Sequence, residues 1–354
     1  MGGCGETIPS SVKGIPLLVR DDRLLLGRGY RVYEHLLTSG EERLVASYQP
    51  PPAKRLLAAT PLGCRTAREG IHRLYETPNG DWLAIGKGAI LFCRAGSDQF
   101  VTACTAHRGS RPLYLCHDPV ADHWYFGEYF SNPDREEVRI YTSRDGSTWS
   151  IAYTFDAGEI RHVHNVVYDP YREGLWILTG DSDEESGLFF TANAFATVEK
   201  KFGGSQTYRA VSVLCLPEGL LIPMDTPHET NAIHLQRLPD GQLTHQADLA
   251  SSAFHALEVP EGYVVTTVGE PSSVNDAHHA RVYFCRRDDR VWREVNCYPA
   301  DALSASSNRF FRYPEIIPIG CTNNGVLYCV GIGLTSQAYG ILKINLERTL
   351  LEKT

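Results

Sequence analysis

The sequence predicts an all-β fold, a seven-bladed β-propeller with four antiparallel strands per blade. Three observations support this prediction: a recurring turn-and-strand unit, a second series of polar turns between its copies, and the near absence of long amphipathic helical windows. The apolar runs are short, rich in aromatic and β-branched residues, and separated by Gly, Pro, Asn and Asp, which is typical of strands joined by turns. Radial closure of such modules protects their sheet edges. A six-bladed ring is the alternative.

The recurring unit is a turn followed by a short apolar run that ends in Gly or an acidic residue. Its spacing of about forty to sixty residues is that of a repeat architecture. Copies lie at 79–86, 121–128, 173–181, 218–225, 261–270 and 324–331, with a weaker copy at 21–27. We expect a single domain over 1–354, with blades at approximately 14–69, 70–112, 113–162, 163–209, 210–254, 255–303 and 304–350.

The second series consists of polar turns, of which one is well formed: Ser143-Arg-Asp145-Gly146-Ser-Thr-Trp149. An Asx side chain in such a turn bonds its own backbone two residues on and fixes a hairpin. Steps of 47 or 48 residues from Asp145 reach Asp98, Asn193, Asp240 and Asp288. The sequence therefore predicts a hairpin turn at the same place in several blades.

At these residues the chain resembles the sialidase-like propeller superfamily, also called BNR or Asp-box propellers. The resemblance implies a carbohydrate-active protein. It also implies that the Asp-box joins the third and fourth strands of a blade on the face opposite the active site. Ser143, Asp145, Gly146 and Trp149 are then structural, and Asp145 has no catalytic role.

The opposite face should carry the starts of the first strands and the ends of the second strands, because each strand of an antiparallel sheet reverses direction. Arg or His occurs at nearly every predicted start of a first strand. Arg side chains around the central opening of the propeller focus positive potential there, which suits an anionic ligand. The alternative is that these side chains pair with nearby acidic residues and stabilise the edge of the opening. The predicted substrate-binding residues are Arg68, His107, Arg111, Arg161, Arg209, His255, Arg309 and Arg312.

The net charge of −8 argues against a nucleic-acid binder, and no apolar run reaches the eighteen residues typical of a membrane span. The expected partner is an acidic oligo- or polysaccharide. No basic and apolar leader is visible at the start, which predicts a cytoplasmic protein, or a secreted one if a leader has been removed.

His162 and His164 form the sharpest local feature, because positions i and i+2 of a strand point to one side. Three interpretations are open: buried histidines with satisfied hydrogen bonds, a pair of general bases, or two ligands of a metal ion. A metal needs at least one further ligand, for which His107, His228 and His255 are the candidates, and no familiar metal-binding motif supports it. The sequence therefore predicts no cofactor, with a metal at His162 and His164 as the alternative.

The leading functional hypothesis is a glycoside hydrolase that cleaves beside a carboxylate-bearing sugar. The sialidase resemblance implies an Arg clamp, a Tyr nucleophile paired with Glu, and an Asp acid/base. Tyr208 or Tyr313, paired with Glu128, and Asp181 are the candidates. The alternative is a polysaccharide lyase acting on a uronate by β-elimination, with His162, His164 and Tyr208 as proton-transfer groups. A non-catalytic propeller that binds a glycan or a protein is the third hypothesis.

Overall fold

The computed structural model describes residues 12–109, 111–239, 241–306 and 309–346, and it confirms the seven-bladed β-propeller. Seven antiparallel sheets follow one another along the chain. Six have four strands, and the last has three strands within the described residues. None of the helices in this part of the chain has the length and apolar character to span a bilayer.

The first three sheets occupy the first half of the chain. The first contains β1 (Ile15–Val19), β2 (Arg23–Arg28), β3 (Arg31–Leu36) and β4 (Glu42–Ser47). The second contains β5 (Ile71–Glu76), β6 (Trp82–Gly86), β7 (Ala89–Cys93) and β8 (Val101–Thr105). The third contains β9 (Cys116–Asp118), β10 (His123–Gly127), β11 (Val138–Ser143) and β12 (Ser150–Phe155).

The remaining four sheets follow in the same strand order. The fourth contains β13 (His162–Asp169), β14 (Gly174–Gly180), β15 (Gly187–Thr191) and β16 (Glu199–Gly203). The fifth contains β17 (Leu214–Leu216), β18 (Gly219–Pro223), β19 (Ala232–Arg237) and β20 (Leu243–Asp248). The sixth contains β21 (Ala253–Val259), β22 (Gly262–Thr267), β23 (His279–Arg286) and β24 (Trp292–Pro299), and the seventh contains β25 (Glu315–Cys321), β26 (Val326–Ile332) and β27 (Tyr339–Asn345).

Helical segments are short. Two α-helices, α1 (Pro52–Leu57) and α2 (Pro61–Ala67), lie between the first and second sheets. Both begin with proline at the start of the helix, where a missing N–H costs nothing, and the Thr60 side chain caps α2 by accepting from Gly63 N. Within the described residues, 3₁₀ turns cover Gln206–Tyr208, Ser304–Ser306 and Arg309–Phe311.

The chain divides into two compact units. The first comprises the chain up to Leu74, Cys93–Phe100, and the chain from Ala250 onward; the second comprises Tyr75–Phe92 and Val101–Leu249. Each has its own apolar cores, such as the one around Phe284, Ile316 and Leu342 in the first unit and the one around Phe155, Val163 and Ile177 in the second.

Burial within the sheets falls from the second strand toward the fourth. Every residue of β14, β18, β22 and β26 is buried, whereas β8 and β16 contain only half-buried and exposed residues. The recurring sequence unit corresponds to the turn before each second strand and the second strand itself. A strand buried on both sides reads as a continuous apolar run, which is why this unit is the clearest repeat in the sequence.

The Ser143–Trp149 segment forms the turn between β11 and β12, the third and fourth strands of their sheet. The Asp145 carboxylate accepts from the backbone N–H groups of Ser147 and Thr148, both at 2.8 Å, and Trp149 Nε1 donates to Gly146 O. Gly146 has a φ of 73°, and a Cβ there would lie 2.7 Å from Leu83 Cδ2. Asp98, Asn193 and Asp288 lie in the corresponding turns of other sheets, and Asp240 lies outside the described residues.

Replacing Asp145 with alanine is expected to lower the free energy of unfolding by about 1–2 kcal/mol, because two backbone N–H groups lose their acceptor. Specific activity should stay nearly unchanged. Chemical denaturation measures the first quantity. The control is Asp98→Ala in the turn between β7 and β8, because the Asp98 carboxylate makes no hydrogen bond with another described residue. Equal stability losses in the two variants would contradict the assigned role of Asp145.

Candidate functional site

The second unit brings two histidines and an aspartate of the fourth sheet together. His162 and His164 lie at the start of β13, and Asp181 directly follows β14. The pairing of β13 with β14 shifts register between Val163 and Asn165, so His164 is the extra residue of a bulge. Gly180 makes room for it, since a Cβ there would lie 2.7 Å from His164 Cε1. We call His162, His164 and Asp181 the imidazole cluster.

Three potential ligand atoms face one another in the imidazole cluster. His162 Nε2 and His164 Nε2 are 3.1 Å apart, and they lie 3.6 and 3.7 Å from Asp181 Oδ1. Both histidines are buried, whereas the Asp181 side chain is 25% exposed. The cluster is therefore reached from the carboxylate side.

Backbone carbonyls determine which nitrogen of each imidazole carries the proton. His162 Nδ1 lies 3.0 Å from Phe130 O, and His164 Nδ1 lies 2.9 Å from Ala210 O. A carbonyl oxygen can only accept, so each Nδ1 is a protonated donor. In the neutral form of each ring, the lone pair of Nε2 is then directed into the cluster. This arrangement of a ligating imidazole held by a carbonyl is common at metal sites.

The charge states follow from burial and from the neighbouring groups. Burial lowers the pKa of His164, so its ring is neutral at pH 7. Burial raises the pKa of Asp181, but the polar and charged groups around the carboxylate outweigh it and hold that pKa well below its usual value. Arg161 Nη1 and Arg209 Nη2 also approach the carboxylate oxygens, at 3.1 and 3.3 Å. Asp181 is therefore a carboxylate at any physiological pH.

The two arginines retain unused hydrogen-bonding capacity. Arg209 Nη1 donates to Asp181 O at 2.9 Å, and its Nε lies 3.8 Å from the buried Asp225 carboxylate, beyond hydrogen-bond distance. Within the described residues, the buried Nε atoms of Arg161 and Arg209 have no hydrogen-bond partner. Two guanidinium groups beside a partly open cluster suit an anionic ligand.

The geometry of the imidazole cluster fits a metal ion. Ligand atoms about 2.1 Å from one ion are roughly 3.0–3.6 Å apart for bond angles between 90° and 120°. The three observed separations of 3.1, 3.6 and 3.7 Å are close to this range. Two imidazoles and a carboxylate suit first-row divalent cations. Among the described residues, the carboxylate that converges with His162 and His164 is that of Asp181, and the sequence candidates His107, His228 and His255 are not part of this group.

Tyr129 is an aromatic residue beside the cluster. It follows β10, its ring centroid lies 4.5 Å from that of His162 and 6.1 Å from that of His164, and 36% of its surface is exposed. Tyr129 is not among the residues that the sequence predicted to take part in catalysis or binding. The sequence does contain a signal for Tyr129, because Tyr129 and Asp181 both come just after the second strand of a blade.

Other predicted residues of the second unit have structural surroundings. The Tyr208 hydroxyl donates to Gln236 Oε1 at 2.9 Å, and its ring stacks on Phe202. The buried Glu128 carboxylate accepts from the Arg108 guanidinium and from Arg139 N. Neither side chain is directed to the imidazole cluster by these contacts. His107 is exposed and Arg111 is half-buried.

The first unit contains a second buried ion-pair group. His255 Nε2 donates to Glu315 Oε1 at 3.0 Å, and Arg312 Nη2 donates to Glu315 Oε2 at 2.5 Å. Arg73 Nη2 lies 3.5 Å from His255 Nδ1. The sequence analysis did not identify Glu315 as a candidate, although Glu315 is the first residue of β25, just as His162 is the first residue of β13.

The other predicted residues of the first unit are Arg68 and Arg309. Arg68 is an exposed residue whose carbonyl accepts from His72, and the side chain of Arg309 lies outside the described part of the structure.

Acidification is expected to destabilise the protein through His255 and Glu315. Burial lowers the pKa of His255. Burial raises the pKa of Glu315, but the charge of Arg312 and the hydrogen bond from His255 have a larger opposite effect, so the pKa of Glu315 is also lowered. The unfolded chain, with pKa values near 6.5 and 4.5, therefore binds more protons than the folded chain as the pH falls. The stability that His255 and Glu315 contribute is therefore present above the pKa values of the unfolded chain and is lost as the pH falls below them.

Urea unfolding between pH 7.5 and pH 4 measures this dependence. In Glu315→Gln, the free energy of unfolding should be lower at pH 7 and should fall less steeply with acidification than in the parent protein. Glu41→Gln, an exposed position of the same unit, is the control. A slope in Glu315→Gln equal to that of the parent would rule out the assigned linkage.

The fold is shared with many solved structures. No protein-family model and no curated protein matches the sequence. An oligogalacturonate lyase in complex with manganese has a TM-score of 0.62 at 8% identity, with 95% of this chain and 89% of that chain covered. An oligogalacturonate lyase from Vibrio parahaemolyticus has a TM-score of 0.58 at 8% identity, covering 93% and 88%.

An ancestral GH74 enzyme has a TM-score of 0.58 at 11% identity; 94% of this chain is covered but only 46% of that chain. The structure neighbours thus include two kinds of carbohydrate-active β-propeller. At these identities the likeness shows the fold alone.

Proposed function

We propose that the protein is a lyase that depends on a divalent cation and cleaves an acidic oligosaccharide by β-elimination beside a uronate carboxylate. The observation that carries this proposal is the convergence of His162 Nε2, His164 Nε2 and Asp181 Oδ1, with both Nδ1 atoms held by carbonyls. The manganese-bound oligogalacturonate lyase of the same fold suggests oligogalacturonate as the substrate to test first.

The charge of the site suits a carboxylate. Asp181 and Asp225 carry two negative charges, which the Arg161 and Arg209 guanidinium groups balance. The two imidazoles are assigned as neutral ligands. A divalent cation would then leave the site with two net positive charges, and an anionic sugar can neutralise them. An excess of positive charge in a partly buried site attracts a ligand of opposite charge.

The chain's own residues can perform the remaining steps. A cation bound to the imidazole cluster would stabilise the negative charge that develops on the uronate carboxylate. Arg161 and Arg209 orient that carboxylate through their N–H groups. Elimination breaks the C–H bond beside the carboxylate and the C–O bond to the leaving sugar, and it forms a C=C bond. One proton therefore moves from carbon to the leaving oxygen, and we assign that transfer to the Tyr129 phenol.

The geometry favours elimination over hydrolysis. A glycoside hydrolase needs a carboxylic acid whose pKa is raised so that it can protonate the leaving oxygen. The pKa of Asp181 is shifted the other way, and Glu128 is held by Arg108. The sialidase-like hydrolase therefore remains the second candidate, supported by the likeness in fold to a GH74 enzyme.

Turnover of trigalacturonate with Mn²⁺ tests the proposal. Elimination should give ultraviolet absorbance from the new double bond, which EDTA abolishes and added Mn²⁺ restores. New reducing ends without absorbance would show a hydrolase instead. Thermal stabilisation by the sugar with neither product would show a binding protein. Either of these results overturns the lyase.

A further inference from the structure

The first unit contains a cavity of about 460 Å³ beside the helical segment, and nothing above assigns it a role. This volume is within the range of about 300–1,000 Å³ typical of small-molecule sites. Residues of β2 and β3, both short helices and Tyr339 line it. We call it the tyrosine cavity.

The charge lining the tyrosine cavity has one sign. Lys13, Arg28, Arg31 and Arg55 are among its seventeen lining residues, and no described lining residue is Asp or Glu. In the whole chain, acidic residues outnumber Lys and Arg by 42 to 34. A cavity with four cations and no lining acid in an acidic protein concentrates positive potential locally, which favours an anionic ligand.

Only part of this positive charge is neutralised nearby. Arg28 Nη2 pairs with both oxygens of Glu42, at 2.8 and 2.7 Å. Arg55 Nη1 donates to the neutral Gln49 amide at 3.2 Å. Lys13 and Arg31 are exposed and make no ion pair with the described residues. Three of the four cations therefore remain available for a ligand.

Tyrosines supply flat faces around the same space. Tyr30, Tyr33, Tyr48 and Tyr339 line the cavity, and the centroids of Tyr30 and Tyr48 are 5.6 Å apart. Tyr30 is buried, and its hydroxyl donates to Glu69, so its ring is fixed. Rigid rings offer large contact surfaces at low cost in side-chain entropy. Rings beside cations suit a molecule with a flat ring face and carboxylates.

The cavity wall is held in place by the backbone. Gly29, at a φ of 58°, lies against the end of α1, and a Cβ there would be 2.6 Å from Ala58 O. Ile71 N donates to Gly29 O at 2.9 Å, and Cys64 Sγ donates to Ala58 O at 3.3 Å. These contacts fix the helical segment on the turn between β2 and β3, so the cavity is preformed.

We propose that the tyrosine cavity is a second, non-catalytic binding site for an acidic oligosaccharide, with the sugar rings on the tyrosines and the carboxylates at Lys13, Arg31 and Arg55. The choice of sugar rests on the proposed function, whereas the cavity and its charge do not. A site of this kind would hold a polymeric substrate on the protein between cleavage events.

Titration calorimetry with trigalacturonate tests this site in EDTA, which removes any cation from the imidazole cluster and stops turnover. The double variant Arg31→Glu/Arg55→Glu should bind the sugar at least about tenfold more weakly than the parent. Arg94→Glu, an exposed position of the same unit outside the cavity lining, should bind like the parent. Maltotriose, which has no carboxylate, should not bind measurably.

The outcomes separate this inference from the proposed function. Elimination with Mn²⁺, combined with equal trigalacturonate affinity in the double variant and the parent, overturns the second site and leaves the lyase intact. Binding that depends on Arg31 and Arg55 without any elimination supports the second site and overturns the lyase. Equal binding of maltotriose and trigalacturonate overturns the assignment of a carboxylate ligand. Circular dichroism of the double variant shows whether its fold is unchanged.

Discussion

Replacing His164 with alanine is expected to weaken Mn²⁺ binding at least about 100-fold and to abolish elimination. Loss of groups that merely orient a ligand costs about 10–100-fold in metal affinity, and the loss of a ligand itself should cost more. His164 Nε2 is 3.1 Å from its partner nitrogen and 3.7 Å from the carboxylate, so no neighbouring side chain can replace it without moving. Calorimetry with Mn²⁺ and the ultraviolet assay measure the two effects.

The matched control is His245→Ala. His245 lies on β20 of the same unit, its side chain is 53% exposed, and it pairs with Asp248. This variant should keep Mn²⁺ affinity and activity. Because the buried His164 also bonds Ala210 O, its removal lowers stability, and His162→Ala provides an independent test of the same site. Parental Mn²⁺ affinity in both folded cluster variants would exclude the metal assignment.

Tyr129→Phe is expected to lower kcat by about 10²–10⁴-fold, the contribution typical of general acid–base catalysis. The substitution removes only the hydroxyl, so the ring contact with His162 and the affinity for Mn²⁺ should be retained. Steady-state rates with trigalacturonate measure kcat, and calorimetry measures Mn²⁺ binding.

Tyr208→Phe is the control for Tyr129→Phe. Its hydroxyl bonds Gln236, so its loss should lower stability slightly and leave kcat close to the parental value. A large drop in kcat for Tyr208→Phe, with little change for Tyr129→Phe, would contradict the assignment of proton transfer to Tyr129. It would support Tyr208 instead, as the sequence suggested. A drop in Mn²⁺ affinity for Tyr129→Phe would instead indicate a positioning role.

The propeller was predictable because its signal repeats. The buried second strands read as apolar runs, and turns such as Glu173-Gly174 and Asn324-Gly325 precede them at a regular interval. The two helices between the first and second sheets were missed, since six and seven residues are too few for a helical period. Pro52, Pro61 and the Thr60 cap were the local signals available.

Part of the site was also predictable, since strand alternation placed His162 and His164 on one side and the reversal of strands placed Asp181 at the same end of the sheet. Sequence could not show that Nδ1 of each imidazole is held by the carbonyls of Phe130 and Ala210, because these contacts join residues 32 and 46 positions apart. The proposed metal site rests on these two contacts. The charge state of Asp181 depends on the same three-dimensional neighbours.

Anomalous diffraction at the manganese edge, from crystals of the full chain grown with Mn²⁺, tests the proposed metal site. We expect a peak within about 2.0–2.3 Å of His162 Nε2, His164 Nε2 and one Asp181 oxygen. Well-ordered imidazoles with no anomalous peak between them, at a Mn²⁺ concentration that saturates any binding seen in solution, would contradict it.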